Sequence, residues 1–221
     1  MRFLPNLNST RRNILLSTWG LFTGLALLLV TAGVYSTLVG IRAELKQLPT
    51  LVSGGITTAY YAGFLLGSWY TLRALKQVGH IRVYAALASL LSASVLITGV
   101  YDSPIVWILM RSSTGFCFAG LYVVAESWLN GLASNTFRGR LLAMYNVVTI
   151  GAYGAGQLLV FNFDARTLTG FAFAAVVSSL AVIPVVMSEQ AATPNVDNHT
   201  HITMRELAKI VPTGAGTILL V

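Results

Sequence analysis

Val106-Trp107-Ile108-Leu109-Met110-Arg111-Ser112-Ser113-Thr114-Gly115-Phe116-Cys117-Phe118 is an apolar stretch with one ionisable group in it, and its reading decides the fold. From Ser103 to Ala125, Arg111 is the only charge. A charge in hydrocarbon is costly and persists where it faces a cavity or a partner, so the stretch reads as a membrane helix carrying a functional arginine.

The flanking sequence repeats the pattern without the charge. Asn13 to Ile41 gives 29 uncharged residues, Gln47 to Leu72 gives 26 and Val83 to Tyr101 gives 19, against the roughly 20 a helix needs to cross a bilayer. Asp102-Ser103-Pro104 supplies a turn whose proline suits the first turn of the next helix. Six spans are expected, at about 14–41, 51–72, 83–101, 104–128, 141–163 and 167–187. Residues 1–13 precede them as an amino-terminal segment, 189–209 form a polar linker, and 210–221 read as the start of a truncated seventh span. The fold class is therefore an all-α membrane bundle, expected to be half of a larger one. The alternative is a complete chain whose last 12 residues form a re-entrant or surface segment.

Composition agrees. The chain of 221 residues is 55% hydrophobic and 10% charged, whereas a soluble domain averages about 25% charged residues. Its net charge of +7 sits in the short gaps between apolar runs, where it orients the chain rather than binding nucleic acid. With the amino terminus inside, ten Lys and Arg fall on the cytoplasmic side against three outside (Arg42, Lys46 and Arg166), which predicts a cytoplasmic amino terminus and linker. Ser9-Thr10-Arg11-Arg12 is too weak a twin-arginine match, before too long an apolar run, to be a cleaved signal. The lone Cys117 precludes an intrachain disulfide and is expected to pack in the core.

Polar side chains recur at helical spacing. Arg111 shares a face of the fourth span with Trp107, Gly115, Phe118, Tyr122, Glu126 and Leu129; Leu109, Phe116, Cys117, Val123 and Val124 lie opposite. Asn146, Tyr153 and Gln157 align in the fifth span, Gly20, Gly24, Thr31 and Tyr35 in the first, and Thr57, Tyr61, Phe64 and Ser68 in the second. Arg111, Tyr122, Asn146, Tyr153, Gln157, Thr31 and Tyr35 are the candidate substrate contacts; for each except Arg111 an interhelical hydrogen bond is the alternative. An arginine fork suits a carboxylate or phosphate, so the expected substrate is anionic or zwitterionic. A structural pair with a carboxylate on another helix is the alternative role for Arg111. Small residues spaced by four (Gly20/Gly24, Gly63/Gly67, Gly151/Ala155, Ala152/Gly156) are expected at close helix crossings.

Several motifs carry a resemblance. Arg111-x-x-x-Gly115, Ala125-Glu126-Ser127-Trp128-Leu129-Asn130, Arg138-Gly139-Arg140, Gly154-Ala155-Gly156-Gln157 and Val78-Gly79-His80-Ile81-Arg82 together resemble the YcaD-like branch of the major facilitator superfamily. The resemblance covers nearly the whole chain. It implies the amino-terminal half of a 12-helix secondary transporter, built from two inverted three-helix repeats and working by alternating access. It also implies a cytoplasmic gate at Gly79 and Arg82. The acid usual in that loop is replaced by Lys76, so Glu126 is expected to take over by pairing with Arg138, Arg140 or Arg73; an ordinary interfacial pair of little net worth is the alternative. The glycine-proline signature of antiporters is absent from the fifth span.

No acid lies deep in any span, so an obvious proton carrier is lacking. A membrane enzyme is the less favoured class, because His80, His199 and His201 all fall in cytoplasmic segments away from any buried nucleophile. His199-Thr200-His201 reads as solvated rather than metal-binding, and no cofactor, metal or catalytic residue is expected. The expected partners are the lipid bilayer, a small-molecule substrate and a second six-helix half or second copy of the chain. A homodimeric half-transporter or a channel is the alternative on the same spans. The location implied is the bacterial inner membrane.

Overall fold

The computed structural model describes residues 7–132 and 138–188, and among these it contains helices and no strand. The linker 189–209 and the segment 210–221 lie outside the described residues. The helices are α1 (Leu7–Leu45), α2 (Thr50–Val78), α3 (His80–Val100), α4 (Pro104–Leu132), α5 (Arg138–Leu159), α6 (Thr169–Leu180) and α7 (Val182–Met187). A 3-10 turn, Val160–Asn162, follows α5.

Among the described residues four segments are long and apolar enough to cross a membrane: Trp19–Leu45, His80–Val100, Pro104–Gly131 and Thr169–Met187. The helices α2 and α5 have 29 and 22 residues, or about 43 and 33 Å at the α-helical rise, against a hydrocarbon core of about 30 Å. They are long enough but less apolar, carrying Thr57, Thr58, Tyr60, Tyr61 and Ser68, and Asn146, Thr149 and Gln157. Large apolar side chains also stand outward, Leu65 71% exposed and Ile150 74%. Such a surface fits an apolar solvent and would be an aggregation hazard in water.

The helices run past the charges that bound the apolar runs. The second expected span ended near Leu72, yet α2 continues through Arg73 and Lys76 to Val78. A charge marks where hydrocarbon ends, not where a helix does. What stops α2 is Gly79, whose φ of 83° with ψ of 168° is open only to glycine. Its amide still donates to Leu75 O at 3.1 Å. Gly79→Ala should lower stability by about 1–3 kcal/mol from backbone strain alone, read as the unfolding midpoint of the purified protein; a Cβ there would meet nothing within 4 Å.

The sixth expected span breaks at Ala181 into α6 and α7. Pro184 accounts for it, since a proline lacks the N–H and its ring clashes with the carbonyl four residues back, here Leu180. The bent segment seats against α1 at Gly20 and Gly24, where a Cβ would collide with Pro184 O and would lie 2.7 Å from Ala181 O.

Two crossings organise the bundle. In the first, Gly33 of α1 lies against the Tyr153 carbonyl of α5, and Gly156 of α5 against the Val30 carbonyl of α1. In the second, Gly115 of α4 lies against the Tyr60 carbonyl of α2, and Gly63 of α2 against the Ser112 carbonyl of α4. The sequence interval from Val30 to Gly33 recurs from Ser112 to Gly115, and that from Tyr60 to Gly63 recurs from Tyr153 to Gly156. The remaining contacts match: α1 packs on α6 as α4 packs on α3, and α3 packs on α6. Within the expected small-residue pairs, Gly151 lies outside the crossing, with nothing within 4 Å of a Cβ.

At the ends of α1, α3, α4 and α6 a polar cluster closes the core. Arg42 is buried, bonds Asp102 at 3.0 Å and Gly99 O at 3.1 Å, and stacks 5.1 Å from the Phe171 ring. Lys46 reaches the other oxygen of Asp102 at 3.1 Å.

Candidate functional site

The pair of crossings leaves a cavity of about 420 Å³ between α1, α2, α4 and α5. Arg111 enters it from α4. Its guanidinium carbon lies 4.9 Å from the Tyr60 ring centre and 5.2 Å from that of Tyr35, in cation–π geometry. Among the described residues no carboxylate comes within ion-pair distance of Arg111, and its buried Nε has no hydrogen-bond partner. The structural ion pair that was the alternative role for Arg111 is therefore not formed within the described residues. A desolvated donor without a partner is expensive. Such a group is best satisfied by a ligand acceptor.

Four sequence-expected contacts line this cavity: Arg111, Tyr122, Tyr153 and Tyr35. Two of their hydroxyls are committed elsewhere. Tyr35 Oη pairs with Thr98 Oγ1 at 3.1 Å and Tyr153 Oη with Ser36 Oγ at 3.0 Å. Three others sit apart. The Thr31 hydroxyl donates 3.1 Å to Ala174 O across α6, tying helices rather than facing the cavity. Asn146 is exposed on α5. Gln157 lines a separate cavity of about 520 Å³ with Asp164 and Arg166. The structure adds Tyr60, Tyr61, Phe64 and Thr57 from α2, and Ser36 from α1. Of these, Thr57, Tyr61 and Phe64 belong to the stripe seen in the sequence; Tyr60 and Ser36 lie off the stripes, and only the folded packing reveals them.

Arg111 also borders a smaller cavity of about 220 Å³, lined by Ser36, Ser53, Thr57 and Glu44 among others. Glu44 is eight residues beyond Ser36 on α1, about 12 Å along the axis.

At the opposite end of α4 the Glu126-Ser127-Trp128 segment clasps its neighbours. Tyr145 of α5 donates to Glu126 Oε1 at 3.1 Å, and His80 Nε2 is hydrogen-bonded to Ser127 Oγ at 3.1 Å. The rings of His80 and Trp128 lie 5.8 Å apart. The expected pairing of Glu126 with Arg73, Arg138 or Arg140 is not formed here: Arg73 stacks on Trp69 at 3.7 Å, and Arg82, Arg138 and Arg140 are exposed. Tyrosine has taken the place assigned to arginine because it projects from α5 directly under Glu126. Tyr145→Phe and Glu126→Gln should each cost about 1 kcal/mol, and the double variant no more than either alone. Thermal unfolding of the three proteins checks this; additive losses would show that the bond is idle.

Comparison with known proteins supplies the kinship. Proteins named "Uncharacterized MFS-type transporter YcaD" from Salmonella arizonae, Salmonella newport and Salmonella typhimurium are each 32% identical to this chain over 148 residues. The match covers 67% of this chain and 39% of each relative, so the chain spans well under two thirds of their length. No protein-family model matches the chain, and no solved structure does. A helical bundle with membrane-length apolar helices, matched over two thirds of its residues to transporters, is a multi-pass membrane protein. Over two thirds of its length the chain is thus a relative of the MFS-type transporters named YcaD.

Proposed function

We propose that this chain supplies half of a secondary active transporter that moves a small anionic or zwitterionic solute by alternating access. The single observation that carries the reading is Arg111, held between Tyr35 and Tyr60 in a cavity bounded by four helices, with no carboxylate paired to it among the described residues. In this reading α2 and α5 cross the membrane with the four more apolar segments, giving six spans. The matching glycine crossings support two inverted three-helix units, α1–α3 and α4–α7. The cavity opens toward a second six-helix half, or a second copy of the chain, which completes the site. The excess of Lys and Arg supports a cytoplasmic amino terminus in the bacterial inner membrane, which puts Gly79, Arg82, Glu126, Arg138 and Arg140 at the cytoplasmic gate.

Reconstitution of the intact protein into liposomes tests this, with a panel of radiolabelled small anions and zwitterions. The expected result is uptake that saturates, shows counterflow and falls when Arg111 is replaced. Flux that rises linearly with concentration and shows no counterflow would make the protein a channel.

A further inference from the structure

Resting on the reading of the Arg111 cavity as the substrate site, we infer that its ligand is an aromatic monocarboxylate: a flat apolar body bearing one negative charge. Two features of the cavity narrow the class. The first is charge. Among the described residues Arg111 is the only charged one lining it, so a phosphate or dicarboxylate would enter with part of its charge uncompensated, which is costly away from water. One guanidinium fork matches one carboxylate.

The second feature is the wall. Of the eleven lining residues seven are aromatic, so most of the wall offers ring faces on which a flat apolar body can pack. The rings are already arranged in edge and tilted contacts that an added ring extends: Tyr60 to Tyr61 at 5.4 Å, Tyr60 to Phe64 at 6.1 Å, Phe64 to Tyr122 at 6.3 Å. A cavity of about 420 Å³ lies within the roughly 300–1,000 Å³ range of sites that bury small organic ligands. With the Tyr35 and Tyr153 hydroxyls already bonded to protein, Arg111 brings the full positive charge to a polar head, beside the phenols of Tyr60, Tyr61 and Tyr122.

The test is direct binding of defined probes to the intact protein in detergent micelles, by isothermal titration calorimetry. The probes are 2-naphthoate, the neutral 2-naphthalenemethanol, L-phenylalanine, inorganic phosphate and acetate. The expected result is 2-naphthoate binding at least ten-fold tighter than every other probe. Arg111→Gln should weaken it at least thirty-fold and Arg111→Lys about ten-fold. Tyr60→Leu, which keeps the arginine and removes one ring, should weaken naphthoate about five-fold and leave acetate unchanged. Gel filtration of each variant verifies that it is folded. Phenylalanine or phosphate binding as tightly as naphthoate, and losing affinity in Arg111→Gln, would overturn the aromatic monoanion while keeping the site. Binding of every probe indifferent to Arg111 would overturn the site itself.

Discussion

Arg111→Gln is expected to reduce transport by about 100-fold while leaving the protein as stable as before, or more so. Two charge-assisted hydrogen bonds to a carboxylate contribute about 3 kcal/mol together, and that converts to about a 100-fold loss. The stability half follows from the same geometry. Arg111 has no ionic partner among the described residues and its Nε is buried without an acceptor, so in the empty protein its desolvation is offset only by the contacts with the Tyr35 and Tyr60 rings. A neutral side chain removes that cost, as at sites where function is maintained against stability. Uptake into liposomes and thermal unfolding of the same preparation check both halves. A variant that lost its fold along with its transport would make Arg111 a structural residue.

Gly63→Ala should cost about 3 kcal/mol or more, whereas Gly151→Ala should stay within about 0.5 kcal/mol of the parent. Both are helical glycines in spaced small-residue pairs, and sequence alone cannot rank them. In the fold a Cβ on Gly63 collides with the Ser112 carbonyl and comes 2.9 Å from Ser112 Cα. These are backbone atoms of a neighbouring helix, so relief requires moving α2 off α4 along the most extensive helix contact in the bundle. Overpacking against side chains alone costs about 1–3 kcal/mol, and rigid backbone raises that figure. A Cβ on Gly151 meets nothing within 4 Å, and a surface change of that kind is near neutral. Unfolding midpoints of the two variants decide; equal changes, or a gain at both positions as helix propensity alone would give, would show that the crossing does not make Gly63 special.

The elements were legible because charges in a membrane protein are sparse and mark the ends of apolar runs. Arg111 was legible for the same reason. Its neighbours were harder. A helical wheel puts Asn146 and Gln157 on one face of α5, but they are eleven residues apart, about 16 Å, and only Tyr153 between them reaches the cavity. Thr31 shares a face with Tyr35, yet a carbonyl of α6 captures its hydroxyl, a tertiary fact that no periodicity holds. Tyr60 sits one residue off the polar stripe of α2 and becomes a wall of the site only because Gly115 lets α4 approach so closely. Arg42 is the converse case. Its position after an apolar run suggested a solvated outer residue, and the fold buries it against Phe171 with Asp102 as counter-charge.

The uncompensated charge of Arg111 also bears on how the membrane potential would act on a carrier. With the site empty, the described residues put one positive charge into the membrane interior; with a monoanion bound, that charge is cancelled. A unit charge crossing the whole field exchanges about 2.3 kcal/mol per 100 mV. A potential negative inside therefore draws the empty site toward the cytoplasmic side and leaves the loaded site nearly indifferent. On the alternating-access reading the potential would act on the return of the empty carrier rather than on the passage of its cargo, assisting that return in export and opposing it in uptake. Voltage steps on the reconstituted protein without substrate should produce a transient charge movement, suppressed by saturating monoanion and absent in Arg111→Gln.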